Sequence, residues 1–242
     1  MKPERIQPAL LVRARRLVRT YPAASGPVSA LRGVDLDLVE GARLAVMGRS
    51  GSGKSTLLDV LAGLEPPDGG EVHVAGHDLG HLSRKERDRY RRRVVGYVWQ
   101  QFELGILPGL TTFQNVLAPQ LAGGRRRGER RRTAVALLEA MGLGRRLDTR
   151  PADLTPVEAR RLAVAIALAN GPRLLLLDEV TAGLDRRAAR ELLDDLEALV
   201  GRTRTTVVLV THDARLCDHV DRLLVLHDGL VLADIASSAV TR

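Results

Sequence analysis

Residues 48–55 read G-R-S-G-S-G-K-S and fit the pattern G-x-x-x-x-G-K-[S/T]. They stand between an apolar segment typical of a strand, Arg43–Met47, and a helical pattern over residues 56–61. In that context the glycines let the backbone wrap around a phosphate, so that successive N–H groups point inward. We predict that Lys54 neutralises the charge of β- and γ-phosphates and that the Ser55 hydroxyl ligates Mg²⁺.

A chance Gly-Ser loop is the alternative interpretation of this stretch, and both the lysine and the flanking elements oppose it. The residues predicted to hold a nucleotide here are Gly48, Ser50, Gly51, Ser52, Gly53, Lys54, Ser55 and Thr56.

Two carboxylates predicted to act on the same ligand follow the apolar run L-L-L-L at 174–177. A buried parallel strand would deliver Asp178 and Glu179 to the sheet edge where the glycine-rich loop lies. We expect Asp178 to hold Mg²⁺ through water and Glu179 to polarise the attacking water as a general base. The alternative interpretation of these two carboxylates is that they form an exposed acidic end of the strand. Together, the loop and the carboxylates indicate a P-loop nucleoside triphosphatase.

The order of elements predicts an α/β fold. Predicted strands cover residues 10–18, 34–38, 43–47, 71–74, 94–98, 174–177, 206–210, 223–226 and 230–235. Predicted helices cover residues 56–61, 113–121, 131–141, 156–169 and 187–199, and a capping box at Ser83 and Glu86 opens another. Apolar strands that alternate with helices imply a mostly parallel sheet covered on both faces.

The helical stretches between the two halves of the sheet predict an inserted lobe. Residues 102–169 contain no convincing strand. We therefore predict one domain over residues 1–242, in which residues 10–99 and 170–242 form the nucleotide-binding core and residues 102–169 form a helical lobe.

The charge of the chain is +8, and nearly all of its cations are arginines; the lysines are Lys2, Lys54 and Lys85. Arginines cluster at 89–93 and 125–132, which suits nucleic acid or anionic lipid. No aromatic residues for base stacking interleave with them, so a solvated helix face is the favoured alternative and no specific nucleic-acid partner is predicted.

The sequence contains one cysteine, which excludes an internal disulfide, and no apolar run approaches the length that spans a bilayer. The first residues lack the apolar segment of a signal peptide. We expect a cytoplasmic location, with any membrane role supplied by a partner. A zinc site from His212, Asp213, Cys217 and His219 is a further possibility, which the loose spacing opposes.

Further motifs occur in a fixed order after the glycine-rich loop. They are Val98-Trp99-Gln100-Gln101-Phe102, Leu154-Thr155-Pro156-Val157-Glu158, Gly183-Leu184-Asp185 and Val210-Thr211-His212-Asp213, with Tyr21 after the first strand. With these motifs, residues 11 to about 235 resemble the ATP-binding subunits of ABC transporters. Residues 96–116 and 175–185 are most similar to the lipoprotein-releasing, macrolide-exporting and cell-division branch.

The resemblance implies an antiparallel part formed by the amino-terminal strands, a specific assembly and specific roles. Two subunits face each other head to tail, and each ATP lies between the glycine-rich loop of one and the signature helix of the other. Gln100 then ligates Mg²⁺ and senses the permease, His212 contacts the γ-phosphate, Tyr21 stacks on adenine and Asp185 lies in the loop after the catalytic Glu179. Each of these residues, taken singly, has an ordinary alternative interpretation. Gln100 could be a loop amide, His212 could cap the end of a strand, and Tyr21 could be an aromatic ring on the surface.

The chain departs from its family in the signature, where L-T-P-V-E replaces L-S-G-G-Q. Thr155 keeps a hydroxyl that can reach phosphate or cap a helix. Pro156 suits the first helical position but offers no N–H. Val157 puts a branched side chain where the family's glycine lets backbone approach phosphate, and Glu158 adds negative charge. We therefore expect this helix start to bind phosphate more weakly than the family's signature does. The alternative is that it caps the helix for folding only and has lost contact with phosphate. Val180, where the family usually has proline, is a smaller departure.

These features predict an ATPase subunit, using ATP and Mg²⁺, that drives a membrane permease for a lipophilic or lipoprotein-like cargo. We expect the permease to dock around residues 102–121 on the inner face of the cell membrane. A second ABC ATPase chain would complete the ATP sites. It could be identical to this chain, but we favour a different chain. The alternatives are a non-transport ABC-type scaffold or regulator and a nucleic-acid ATPase; the chain has room neither for the long coiled coil of repair members nor for the second ATPase domain of translation members.

Overall fold

The structure, a computed structural model, describes residues 9–24, 26–122, 126–213 and 220–236. Its strands are β1 (Leu10–Tyr21), β2 (Val28–Val39), β3 (Arg43–Met47), β4 (Gly69–Val74), β5 (His77–Asp78), β6 (Val95–Val98), β7 (Leu174–Asp178), β8 (Thr206–Val210), β9 (Arg222–His227) and β10 (Leu230–Ala236). Its helices are α1 (Lys54–Leu61), α2 (Arg84–Val94), α3 (Thr112–Ala122), α4 (Arg127–Ala140), α5 (Pro156–Leu168) and α6 (Arg186–Thr203), with short 3₁₀ turns at Phe102–Gly105 and Pro151–Asp153.

A six-stranded sheet forms the centre of the molecule, in the order β10-β9-β3-β8-β7-β6. The pairs from β9 to β6 are parallel, and β10 adds an antiparallel edge strand. Every residue of β7 and β8 is buried, as expected for parallel strands covered on both faces. The carboxyl ends of β3, β8 and β7 therefore lie side by side at one edge of the sheet.

The alternation of side chains along β7 separates two hydrophobic cores. Leu174 and Leu176 point to the core formed with α1 and the antiparallel strands. Leu175 and Leu177 point to the opposite core, which contains residues of α3, α4, α5 and α6. Because successive strand residues face opposite sides of a sheet, this leucine run binds both layers to the centre.

The antiparallel part is a four-stranded sheet in the order β2-β1-β4-β5. Arg15 donates to both carboxylate oxygens of Asp37 across the β1–β2 pair, at 2.7 and 2.6 Å. The predicted strand at 10–18 extends to Tyr21, because β1 continues past irregularities in its pairing near Arg16, whose φ is 48°. Such a bulge breaks the period-two pattern from which a strand's length is read.

The predicted α/β class, with a mostly parallel sheet and an antiparallel part, is confirmed. The predicted helix at 56–61 begins earlier, at Lys54, directly after Gly53 in the left-handed region. The capping box of Ser83 and Glu86 is present at the start of α2. Between β6 and β7 the described residues form helices and turns, which agrees with an inserted helical lobe. The stated division into core and lobe stays a prediction.

Candidate functional site

The glycine-rich loop joins β3 to α1 in a shape that side chains would obstruct. A Cβ added at Gly48 would lie 2.3 Å from Leu226 O, and one added at Gly53 would lie 2.3 Å from Ala30 O. Both glycines have positive φ, at 155° and 100°. The backbone of the loop is thus packed against neighbouring strands on one side, and its other side is left for a ligand.

Lys54 lies almost fully buried beneath this loop, with 6% of its surface exposed. Its Nζ donates to the carbonyl oxygens of Gly48 at 2.9 Å and Arg49 at 2.8 Å. Burial lowers the pKa of Lys54, although the charges of Glu179 and Asp178 oppose that effect. An ammonium has three donors, so the two carbonyls leave one for an anion.

The buried Ser52 hydroxyl indicates that the loop fits a phosphate group. Ser52 is 2% exposed, and its Oγ finds no hydrogen-bond partner in the part of the chain that the structure describes. A buried polar atom without a partner costs free energy, and an anionic oxygen in the loop would remove that cost. The unpaired hydroxyl, the buried ammonium and the start of α1 together suit a triphosphate.

Asp178, at the end of β7, lies next to the start of α1. It is 5% exposed, and the Ser55 hydroxyl lies close enough to affect its pKa. Burial raises the pKa of Asp178 and the charge of Glu179 adds to that rise, while the Ser55 hydroxyl and Lys54 lower it. A carboxylate and a hydroxyl are oxygen ligands that Mg²⁺ prefers, so this pair could hold the metal predicted from the sequence.

Glu179 is the point where three predicted catalytic residues meet. Its backbone takes the left-handed conformation, with φ at 51°, and its N–H donates to Val210 O at 3.0 Å. The Nε2 of His212 contacts its Oε1, and Gln100 Nε2 donates to its Oε2 at 3.2 Å. Because β6, β7 and β8 are neighbours, residues far apart in sequence are brought to one carboxylate.

A cavity of about 350 Å³ runs from the glycine-rich loop to these three residues. Its lining residues are Tyr21, Ala30, Ser50, Gly51, Gly53, Lys54, Ser55, Thr56, Gln100, Glu179 and His212. The cavity brings together most residues predicted to hold ATP within one chain. Ala30 was not predicted, because it contributes a wall rather than a chemical group and no motif marks it.

Tyr21 stands at one end of this cavity, held by neighbours that the sequence did not reveal. Its hydroxyl donates to Glu65 Oε2 at 2.7 Å, and the Arg19 guanidinium lies 5.0 Å from the centre of its ring. Burial and the hydrogen bond to Glu65 raise the pKa of Tyr21. Stacking of the ring on adenine stays a prediction.

The signature-position residues lie outside this cavity, at the start of α5. Thr155 Oγ1 accepts from Glu158 N at 3.2 Å, and Glu158 Oε2 accepts from Thr155 N at 2.9 Å. Arg146 Nε donates to the other carboxylate oxygen at 2.9 Å. These bonds, led by the one from the Thr155 backbone, lower the pKa of Glu158. Thr155 and Glu158 are therefore bonded to each other, and Val157 lies half-exposed between them.

Asp185 also lies apart from the glycine-rich loop. Its Oδ1 accepts from Ala188 N at 2.9 Å and so caps the start of α6. A second cavity, of about 320 Å³, lies beside it between Glu179 and His212 and includes Gly183 and Leu184. Asp185 and Thr155 therefore both lie outside the cavity of the glycine-rich loop.

The described residues hold no cluster of three or more histidine, cysteine or acidic side chains suited to a metal ion. His212 is engaged with Glu179, and Cys217 and His219 of the alternative zinc site lie outside the described residues. None of the helices described is long and apolar enough to cross a membrane.

The chain is similar to known proteins over most of its length. The family model described as ABC transporter matches residues 31–182. The chain is 42% identical over 234 residues to the lipoprotein-releasing system ATP-binding protein LolD of Xanthomonas campestris, covering 97% of each. It is 42% identical over 223 residues to LolD of Pseudomonas fluorescens, covering 92% of this chain and 97% of that protein.

A longer relative and a solved structure complete the comparison. The chain is 40% identical over 227 residues to the macrolide export ATP-binding/permease protein MacB of Rhodopseudomonas palustris, covering 94% of this chain and 34% of that protein. The dimeric post-hydrolysis structure of the ATP-binding cassette MJ0796 with ADP and phosphate superposes with a TM-score of 0.86 at 33% identity, covering 93% of this chain and 98% of that one. These findings confirm the predicted resemblance and its branch: the chain belongs to the ABC transporter family, as an ATP-binding ATPase cassette.

Proposed function

We propose that this chain holds ATP and Mg²⁺ beside Lys54 and hydrolyses the ATP to drive a separate membrane permease. The observation that carries the proposal is the meeting of Glu179, Gln100 and His212 at the cavity of the glycine-rich loop. A general base must lie within hydrogen-bond reach of the water it activates. Glu179 lines the cavity that suits the triphosphate, which supports this role.

The division of work among the residues follows from their contacts. Lys54 offers its remaining donor to phosphate oxygen, and Glu179 accepts the proton of the attacking water. His212 and Gln100 hold the two oxygens of that carboxylate and so orient it. Ser55 and Asp178 would hold the metal ion, which when bound neutralises charge on the phosphate oxygens.

A single substitution separates binding from hydrolysis. Glu179→Gln keeps the size of the side chain and removes the base, so we expect ATP to bind with little change while turnover falls by about 10²–10⁴-fold. Turnover is measured by release of inorganic phosphate, and binding by calorimetry. Turnover within about three-fold of the unsubstituted chain would contradict the assignment of Glu179 as base.

The partner is proposed from an apolar groove lined by Trp99 and Phe102, which lie on either side of Gln100 in the sequence. The groove encloses about 340 Å³ between β6, α2, α3 and α5. Leu64 and Trp99 line it with more than a third of their surfaces exposed, and Arg91 and Arg92 lie at its rim. We propose that a cytoplasmic segment of the permease docks in this groove, which places the chain on the inner face of the membrane.

The docking proposal is tested by association. Leu64→Asp puts a charge into the groove, whereas Leu232→Asp puts one on β10, where Leu232 is already 70% exposed. We expect Leu64→Asp to lose a co-purifying multi-span membrane protein and Leu232→Asp to retain it. Equal retention by both variants would place the permease elsewhere.

The class of cargo is proposed from the relatives. Their names refer to lipoprotein release and to macrolide export, which supports the lipophilic or lipoprotein-like cargo predicted from the sequence. We propose a cargo of that kind for this chain. The relatives reported above offer no support for the scaffold alternative.

The second ATPase chain is proposed from the start of α5. Thr155 and Glu158 are hydrogen-bonded to each other, and Glu158 also accepts from Arg146. Val157 occupies the position that approaches phosphate in the family. We propose a dimer in which a different chain, with an unaltered signature, completes the site at Lys54. The site that uses this chain's α5 would hold ATP and hydrolyse it slowly.

This asymmetry is tested with the isolated chain. We expect weak ATP turnover that rises in Val157→Gly, because the substitution reopens the approach of backbone N–H groups to phosphate. If the isolated chain hydrolyses ATP vigorously and Val157→Gly does not change the rate, the proposal is contradicted, because a dimer of two identical chains would then hydrolyse ATP with the altered signature.

A further inference from the structure

Arg160, on α5, contacts two segments that are far apart in the sequence. Its guanidinium carbon lies 4.6 Å from the centre of the Phe102 ring. Its Nη1 donates to the carbonyl oxygen of Ala182. One side chain thus joins the 3₁₀ turn that follows Gln100 to the loop that follows Glu179.

Each of the two segments belongs to a different working part of the molecule. Phe102 is 7% exposed and lines the apolar groove beside Trp99. Ala182 closes a turn that begins at Glu179, since its N–H donates to Glu179 O at 2.9 Å. Arg160 therefore holds the groove at one end and the turn that carries the general base at the other.

The guanidinium is chemically suited to both contacts at once. Its flat face can stack on an aromatic ring while its edge donates hydrogen bonds in the plane of the group, a geometry that a compact ammonium does not have. Burial lowers the pKa of Arg160, and its Nε finds no hydrogen-bond partner among the described residues. A partly buried charge with an unmet donor carries a cost in stability, so packing alone does not explain an arginine at this position.

The neighbouring Arg161 provides a contrast on the same helix. Its Nη1 donates to Met141 O at 3.0 Å, and its Nη2 lies 3.0 Å from Asp195 Oδ2. These contacts join α5 to the end of α4 and to α6 and touch neither the groove nor Glu179. Arg161 is thus a matched arginine whose contacts serve helix packing only.

We propose that Arg160 is a positioning residue that couples the apolar groove to Glu179 by fixing Phe102 and Ala182 to one rigid group. Displacement of the 3₁₀ turn then moves the turn at Glu179, and binding of nucleotide beside Glu179 is transmitted in the reverse direction. The inference rests on the proposed function and adds to it a residue and a route between the two sites.

The single tryptophan of the chain makes this route measurable. Trp99 stacks on Tyr97 at 4.8 Å and packs against Gly105 of the same 3₁₀ turn. We expect its fluorescence to change when ATP and Mg²⁺ are added to the full-length chain. In Arg160→Gln we expect the amplitude of that change to fall to less than about half, since coupling networks are altered on this scale by single substitutions.

Matched variants exclude a general loss of structure. Arg161→Gln should lower the melting temperature at least as much as Arg160→Gln, because it loses an ion pair and a hydrogen bond, whereas Arg160→Gln also removes a buried donor without a partner. It should nevertheless keep the full fluorescence change. Phe102→Leu should reduce the change as Arg160→Gln does, and the double variant should reduce it no further. Should Arg160→Gln fail to fold, Phe102→Leu alone carries the test.

The outcomes separate this inference from the proposed function. ATP binding is measured independently by calorimetry, and a chain that does not bind ATP contradicts the proposed function itself. If ATP binds but the fluorescence of Trp99 stays constant, or changes fully in Arg160→Gln and in Phe102→Leu, the coupling through Arg160 is refuted. Loss of the change in Arg161→Gln as well refutes it equally.

Discussion

Gly53→Ala tests whether the shape of the glycine-rich loop is set by its packing. Gly53 has a φ of 100°, and its Cβ would lie 2.3 Å from Ala30 O and 3.2 Å from a methyl group of Leu31. The left-handed conformation costs a non-glycine residue about 1–2 kcal/mol. The β2 backbone must also retreat by roughly 1 Å to restore ordinary contact, and overpacking of this kind costs about 1–3 kcal/mol.

The expected loss of stability is therefore about 2–5 kcal/mol, or a fall of about 5–15 °C in melting temperature for a chain of this length. Gly51→Ala is the matched control, because Gly51 has a φ of 78° but nothing lies within 4 Å of its added Cβ. Its loss should be limited to the conformational part, about 1–2 kcal/mol. Both variants are measured by denaturant unfolding, and ATP affinity by calorimetry.

Ala30 lines the cavity, so its displacement in Gly53→Ala should change the affinity for ATP as well as the stability. Equal stability and equal ATP affinity of the two variants would refute the argument that close packing under the loop sets its shape.

Three further predictions concern the helix start and a buried pair. Thr155→Ala removes the cap of α5 and should lower stability by about 1 kcal/mol in denaturant unfolding; no loss would mean that water caps the helix as well. Glu158 has a pKa lowered in the folded state, so its charge stabilises the fold above its unfolded pKa and this contribution fades as the pH falls. The stability advantage over Glu158→Gln should therefore disappear in acid, and a constant difference across pH would contradict it. Tyr97 donates to Asp59 Oδ1 at 3.0 Å, and burial raises the pKa of Asp59. Tyr97→Phe should cost about 1–3 kcal/mol and raise that pKa further, as followed by pH-dependent unfolding; unchanged stability would show that water replaces the hydroxyl.

The sequence predicted the parts of the fold that depend on local patterns. The leucines at 174–177 and the glycine-rich loop required only a short window of sequence, because burial on both faces and a tight phosphate turn leave strong local signals. The extent of β1 was not predictable in the same way, because the irregularity near Arg16 interrupts its alternation. Strand order depends on pairings over long separations, which no local pattern encodes.

The candidate site was predictable as a set of residue types and only partly as a geometry. Motif order indicated that Gln100, Glu179 and His212 act together, but their contact at one carboxylate depends on the adjacency of β6, β7 and β8. The contact of Arg160 with Phe102 and Ala182 had no local signal, since the sequence alone does not distinguish an arginine near a helix start that makes such contacts from one that is solvated.

The predicted weakening of the signature stays a prediction, and the structure shows how the start of α5 is held. The mutual bonds of Thr155 and Glu158 are those of an ordinary capping box. They account for the start of α5 without any phosphate, so the contribution of this helix to a second ATP stays a prediction.

The central claim, that the chain grips ATP through the buried ammonium of Lys54, is tested most directly by the affinity of two lysine variants for ATP. Calorimetry with Mg²⁺ should show Lys54→Ala binding at least roughly ten- to a hundred-fold more weakly, the range that loss of a hydrogen bond to a charged group implies. Lys85→Ala, on the exposed surface of α2, should bind as the unsubstituted chain does. Equal affinity of Lys54→Ala and Lys85→Ala would contradict the account.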